Sequence, residues 1–345
     1  MMSQKELADS TGITQGHLSK IEHGLTVPTG ETIERLSDSL GVPVDFFFQK
    51  DKTYGLPFTA HPVEPMYRKK SSVRKKSIDF VISMINWQLM HIRKMLNSID
   101  VPVEFELPFL DPQEVKGGAS AIASKIRGLW MAPSGPIKHL ASYVERSGCI
   151  VIMSDWGTVN IDGITLKVPD LPHCIFINDN RPADRIRFTL AHELAHIVMH
   201  STPYPEMEDE ANEFASELLM PAMDIYHDLV NVTLKKLANL KNYWRCSMAS
   251  ILQRASDLNC ITQRQAKNLW VQMSKYGFRK QEPSEIPDDE EMPTVLGKMI
   301  ELFFAELDYT KDELSKLFLT YIPDINNFYF EDDFDLQVHK KKLVI

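Results

Sequence analysis

The sequence predicts a multidomain, mainly α chain, with an all-α bundle at the N-terminus and a later domain that mixes helices with a small sheet. Three observations carry this expectation. Residues 3–24 hold two short helical patterns around Gly12. Residues 186–200 run without Gly or Pro and are rich in apolar side chains. Between residues 149 and 178, three short apolar runs are separated by Gly157 and Gly163, which is how strands are punctuated. At 345 residues, the chain is long enough for two or three domains with cores of their own.

Taken in order, Ser3-Gln4-Lys-Glu-Leu-Ala-Asp-Ser-Thr-Gly12-Ile-Thr-Gln15-Gly-His17-Leu-Ser-Lys20-Ile-Glu-His-Gly24 reads as helix, tight turn, helix. Ser3 caps the first helix. Leu7, Ala8, Ile13, Leu18 and Ile21 form the expected contact between the two, and Gln15, His17, Ser19 and Lys20 are left facing outward. Helices at Thr32–Leu40 and Pro43–Phe48 close the bundle. A helix-turn-helix of this kind sets its second helix in a major groove. The stretch from Ser3 to about Lys50 resembles the Cro/repressor (XRE) family. The resemblance implies DNA as a partner, an operator met by Gln15, His17 and Lys20. That family places a further helix before the Ser-Gln pair; here the sequence starts at Met1, so the bundle is expected to lack it.

Residues 1–52 are therefore expected to be the DNA-binding domain and 53–112 a basic helical linker. The linker carries Arg68-Lys-Lys-Ser-Ser-Val-Arg-Lys-Lys76, six basic residues suited to gripping phosphates without reading sequence or to a solvated helix start. In Ser77–Leu96 the apolar positions Ile78, Val81, Ile85, Leu89, Ile92 and Leu96 are spaced by three and four. The stripe suits a homodimer on a palindromic operator, or packing against the chain's own later domain. The net charge of −9 argues against a protein that simply coats nucleic acid. No secretory signal and no apolar run long enough to span a bilayer is visible, so a cytoplasmic protein without membrane contact is expected. Cys149, Cys174, Cys246 and Cys260 form no metal-binding or redox spacing and read as free, buried thiols; Cys174, ahead of the histidine-bearing helix, is the one placed to sense oxidants.

Helices are expected at Ala119–Trp130 and Ile137–Ser147, and strands at Cys149–Met153, Ile164–Val168 and Cys174–Asn178. The last strand is expected to be an exposed edge beside the site, where an extended peptide adds by main-chain hydrogen bonds. Next comes Phe188-Thr-Leu-Ala-His192-Glu193-Leu-Ala-His196-Ile-Val-Met-His200. On a helix, His192 and His196 lie on one face, so both imidazoles reach one ion, with Glu193 beside them to hold and deprotonate a water. His200 lies about 12 Å along the axis from His192, too far to share that ion. A third ligand is sought in the helix Glu208–Pro221. There Glu208 and Asn212 share a face, so Glu208 is a candidate to complete the sphere, with Asn212 placed to orient a ligating imidazole. Asp209, Glu210 and Glu213 are rivals, since acidic residues also suit a helix start.

The run from Asp184 to His196, with Glu208-Asp-Glu-Ala-Asn212-Glu-Phe-Ala-Ser-Glu-Leu-Leu-Met-Pro221, resembles the ImmA/IrrE family of zinc metallopeptidases, and the similarity spans about Ile122–Pro283. One departure is Ala195, where Gly is common in that family. The resemblance implies an α+β, zincin-like (HExxH) peptidase domain over residues 113–283. It makes His192, His196 and Glu208 the ligands of Zn2+, with Glu193 the catalytic general base. Manganese suits the same donors. His173, Tyr204, Arg185 and Arg187 are near enough in sequence to be weighed as oxyanion donors. Residues 282–293 read as a linker, and 294–345 as a C-terminal region of unassigned role. The fusion implies a DNA-binding transcriptional regulator that hydrolyses one protein, a partner repressor being the candidate substrate. The alternative is a non-enzymatic repressor or antitoxin-like regulator with a sensory or structural metal domain.

Overall fold

The computed structural model describes residues 2–49, 75–168, 171–283, 286 and 292–329. Residues 68–74 of the basic run, 284–285 and 287–291 of the later linker, and the tail beyond 329 lie outside the described residues. The chain forms two compact units. Among the described residues, one draws on 2–49, Lys75–Ile99 and 297–329; the other on those between Asp100 and Leu296.

The first unit begins with helix α1, Gln4–Thr11. Ser3 accepts from the Glu6 amide and Glu6 accepts from the Ser3 amide, so two otherwise orphan donors are satisfied reciprocally. Gly12, at φ +69°, ends the helix in the left-handed region that glycine enters without strain. Helix α2, Gln15–Glu22, starts on Thr14, and helix α3, Gly30–Leu40, starts on Thr29. A single 3-10 stretch, Val44–Phe48, follows. Ala8, Ile13, Leu18 and Leu36 form the bundle's core, with Leu7 and Phe47 packed on it. Ile21 stays half-buried.

Helix α4, Lys75–Leu96, buries Val81, Ile85, Leu89, Ile92 and Met95 completely. The sequence offered two partners for this stripe, a second protomer or the later domain. The structure shows a further one, within the first unit. Helix α4 belongs to the first unit, where it meets α14, Lys311–Phe318, and α15, Ile322–Tyr329. The indole of Trp87 donates to Thr320 Oγ1 at 2.7 Å, and Lys94 Nζ donates to the Leu317 carbonyl at 2.6 Å. His91 reaches the Tyr329 hydroxyl at 2.6 Å and Thr320 Oγ1 at 2.9 Å, and stacks on Phe318 at 4.5 Å. Periodicity shows that a face must be covered, but not by what.

Burial, with a smaller push from Lys94, lowers the His91 imidazole to about 3. In the unfolded chain it titrates near 6.5. Its contribution to stability is therefore complete above pH 6.5 and is lost as pH falls from 6.5 toward 3, by at most about 1.4 kcal/mol per pH unit. Melts followed by circular dichroism between pH 7 and pH 5 are expected to show that fall, and His91→Gln is expected to flatten it. An equally steep fall in the variant removes His91 as the cause.

The second unit carries helix α5, Gly118–Leu129, helix α6, Leu140–Arg146, and strands β1, Ile150–Ser154, β2, Gly163–Leu166, and β3, Cys174–Asn178. Strand order is β1-β3-β2. Ile150 pairs Cys174 in the parallel ladder, and Leu166 pairs Cys174 in the antiparallel one. The expected edge is thus corrected: Cys174–Asn178 is the central strand, and β2 is the edge that packs on the histidine-bearing helix. The reason is visible in its side chains. Cys174–Asn178 is buried at every position, and its apolar Cys-Ile-Phe-Ile run suits a strand covered on both faces, which an exposed edge is not. Cys174 is fully buried and its thiol is pushed up to about 12, by burial first and by Cys149 second, the opposite of the shift that a reactive thiolate needs.

Helix α7, Ala183–Met199, lies against β2 and β3 and beside helix α8, Met207–Leu219. Ala191, Ala195, Ala211 and Ala215 are all completely buried, and their small side chains let α7 and α8 approach closely. Helices α9, Ala222–Ile225, α10, Leu234–Trp244, α11, Met248–Asp257, and α12, Gln263–Lys275, complete the unit's core. Helix α13, Val295–Ala305, leads into the C-terminal helices of the first unit.

Candidate metal centre

The two imidazoles of α7 meet at their Nε2 atoms, 3.1 Å apart. From α8, Glu208 Oε2 lies 3.6 Å from His192 Nε2, and Glu208 Oε1 lies 3.7 Å from His196 Nε2. Donor atoms from these three residues all fall within 4.8 Å of one another. Tetrahedral zinc with ligands at about 2.0–2.1 Å spaces its donors about 3.3–3.4 Å apart, so the triangle has the right size for one ion. Two imidazoles and a carboxylate leave a position open, as a catalytic rather than a closed site does.

The surroundings prepare these donors. His192 Nδ1 faces Asn212 Oδ1 at 3.1 Å, so Nδ1–H donates to the amide oxygen and Nε2 keeps its lone pair. Burial pulls His192 down, but the Glu208 and Glu193 carboxylates together hold it above its ordinary value. His196 is lowered to about 3, by burial first and then by the neighbouring His192 and His200 imidazoles. Of the acidic rivals, Glu210 turns to His200 and Tyr204, and Glu213 accepts from Ser120 Oγ at 2.6 Å. Asp209 lines a groove of about 760 Å3 that touches the centre at Asn212 and continues past Phe188 and Trp270. His200 sits outside the triangle and contacts His196 Nδ1 instead, at 2.8 Å.

Glu193 is 1% exposed and is held from the sheet. Thr165 Oγ1 donates to Glu193 Oε2 at 2.7 Å and to its carbonyl at 3.1 Å. Gly163, two residues earlier on β2, makes room. A Cβ there would stand 2.6 Å from Thr189 Cγ2 and 3.0 Å from Glu193 Cγ. Sequence reasoning missed both residues; the only signal was a Gly-Ile-Thr strand whose two polar-or-small positions share a face.

Three of the four oxyanion suspects find other partners. Arg185 pairs with Asp162 at 2.7 Å, Arg187 donates to the Ile137 carbonyl, and Tyr204 donates to Glu210. His173 precedes β3, is lowered by burial first and by Lys167 second, and its buried Nδ1 has no hydrogen-bond partner among the described residues. In the first unit, Gln15 and Lys20 are exposed and His17 is half-buried along α2. Gln15 Nε2 donates to Gln4 Oε1 at 3.0 Å, and Gln4 Nε2 donates to Glu22 Oε2 at 2.7 Å, which orders the outward face of the helix pair.

An H-E-x-x-H helix joined by a carboxylate from the next helix defines a metallopeptidase-like domain, and it stands in one chain with a helix-turn-helix domain of the DNA-binding type. Comparison with known families agrees. Residues 144–256 match the model of the Peptidase M78 family, the IrrE N-terminal-like domain, and residues 1–47 match the Helix-turn-helix model. The first match holds every residue of the triangle, together with Glu193 and Asn212, though it is shorter than the span from Ile122 to Pro283 over which similarity was read. No curated protein matches the chain. Among the described residues, no helix is long and apolar enough to cross a membrane. The chain is thus a regulator-type architecture, a DNA-binding domain with a protease-like domain.

Proposed function

We propose that this chain is a transcriptional regulator whose second unit is a zinc-dependent endopeptidase acting on one protein, a partner repressor being the candidate. The observation that carries this reading is the convergence of His192, His196 and Glu208 beside a carboxylate, Glu193, that the sheet holds in place. His192, His196 and Glu208 would hold a zinc ion, which would supply the Lewis acidity that makes a water acidic and polarises the scissile carbonyl. Glu193 takes the proton from that water and returns it to the leaving amine. Thr165, by donating to Oε2, favours the ionised carboxylate that this step needs.

Substrate pairs with β2. The Asn178 amide donates to the Asp162 carbonyl at 2.9 Å, which sets the phase of the antiparallel ladder. Ile164 and Leu166 then bond to β3, and Gly163 and Thr165 turn their N–H and C=O groups away from it. An extended peptide added there needs little sequence of its own. Selectivity for one protein comes from surfaces beyond the strand. The first unit places the chain on an operator through Gln15, His17 and Lys20, in the cytoplasm with its DNA. A homodimer reading a palindrome would use a surface other than the buried stripe of α4.

The test compares new protein N-termini in cells that express the wild-type chain or Glu193→Gln. A short set of cuts found only with the wild type is the expected result, and it names the substrate. Identical sets under several stresses would move the reading to a non-enzymatic repressor with a sensory metal domain, to which the deep burial of Glu193 is also suited.

A further inference from the structure

We propose that His200, Glu210 and Tyr204 form a directional hydrogen-bonded train that fixes the tautomer of His196, making His200 a positioning residue for a metal ligand. The proposal rests on the metal-site reading given above. Sequence spacing removed His200 from the ion's reach, and nothing in the proposed reaction uses it. Yet its side chain is among the most enclosed polar groups near the centre, 3% exposed, and both ring nitrogens are engaged.

The direction of the train follows from what each group can donate. His200 Nε2 lies 3.2 Å from Glu210 Oε2. A carboxylate only accepts, so Nε2 carries the hydrogen. In the neutral ring, Nδ1 then holds a lone pair. That atom is 2.8 Å from His196 Nδ1, so His196 must donate from Nδ1. Its Nε2 is left with a lone pair, on the side where His192 Nε2 lies at 3.1 Å and Glu208 Oε1 at 3.7 Å. Tyr204 supplies a second hydrogen to Glu210 Oε2, and its ring stands edge-on to His200 at 5.4 Å.

The backbone holds the train in place. His200 is the residue after the last turn of α7, with φ −116° and ψ 112°, so its ring folds back beneath His196 rather than continuing the helix. Lys167, just past β2, donates to the carbonyls of Ile197 and His200, at 3.2 Å each. The arrangement mirrors the other ligand, where Asn212 accepts from His192 Nδ1. A neutral imidazole left to itself prefers its hydrogen on Nε2, the atom the ion needs. Each ligand therefore requires an acceptor at Nδ1, and His200 is the one that serves His196. Partners of this sort typically change metal affinity by about 10–100-fold.

The test uses the full chain, metal-free and then titrated with zinc against a chelating dye. Long-range 1H–15N spectra of the metal-free protein are expected to show His196 with its hydrogen on Nδ1. In His200→Leu that hydrogen is expected to move to Nε2, and zinc affinity to fall by about 10–100-fold. His200→Asn, whose Oδ1 can take the place of Nδ1, is expected to restore most of both. Glu210→Gln, at the more open end, is expected to give a smaller loss, and it carries the test if His200→Leu does not fold. An unmoved tautomer and an unmoved affinity in a folded His200→Leu chain overturn the proposal alone. A wild-type chain that takes up no zinc overturns the metal reading, and the positioning role with it.

Discussion

Gly163→Ala is expected to cut turnover by about 100-fold while the metal stays bound. The added Cβ meets Thr189 Cγ2 at 2.6 Å, Glu193 Cγ at 3.0 Å and Glu193 Oε1 at 3.1 Å. Thr189 and Glu193 are both buried on α7, so neither has a free rotamer to move into. Either β2 backs away from α7 or the Glu193 carboxylate swings. Both break the 2.7 Å bond from Thr165 that aims the general base. A displacement of about 1 Å at a catalytic group is enough for a loss of that size. Overpacking should also cost about 1–3 kcal/mol of stability. Turnover on the identified substrate, zinc content and a melting curve are the measurements. Gly128→Ala is the control, because nothing lies within 4 Å of a Cβ built at Gly128. Full turnover in Gly163→Ala would show that β2 does not position the base.

Lys241→Met should lower the stability of the second unit by about 3–5 kcal/mol. Lys241 Nζ lies 2.6 Å from Asp184 Oδ2 and 2.8 Å from Glu282 Oε2, and all three side chains are at most 13% exposed. Glu282 also accepts from the Met248 amide at 3.0 Å, at the start of α11. Removing Lys241 leaves Asp184 and Glu282, both largely buried, facing each other without the ammonium between them, and the loss of a buried partner costs more than at a surface. Asp184 stands in the first turn of α7, so the same cluster anchors the helix that carries His192 and His196. A lowered melting temperature is expected, insensitive to salt because the pair is buried. Adding Asp184→Asn should recover part of it. A melting temperature within a degree of wild type would mean that the cluster is structurally idle.

Parts of the site were legible because they are local. The four-residue spacing of His192 and His196 puts them on one face whatever surrounds the helix, and the same spacing pairs Glu208 with Asn212. Gly12 and the Ser3–Glu6 box mark their turn and cap by chemistry that needs no distant partner. The suspected oxyanion donors went the other way. Arg185 and Tyr204 were close in sequence, but their hydrogens point to Asp162 and Glu210.

By itself, then, the sequence determined which faces exist: the imidazole pair, the acidic face of α8, the outward residues of α2 and the stripe of α4. A helix or strand period is written within about ten residues, so it can be read without the rest of the chain. Tertiary structure decided what each face meets. The packing of α8 against α7 brought Glu208, rather than Asp209, Glu210 or Glu213, to the imidazoles. Sheet order put β3 in the centre and gave Thr165 and Gly163 of β2 to Glu193. The stripe of α4 was closed by residues near the other end of the chain, Thr320 and Tyr329. Such pairings depend on shape and burial among segments far apart in sequence, and no local period encodes them.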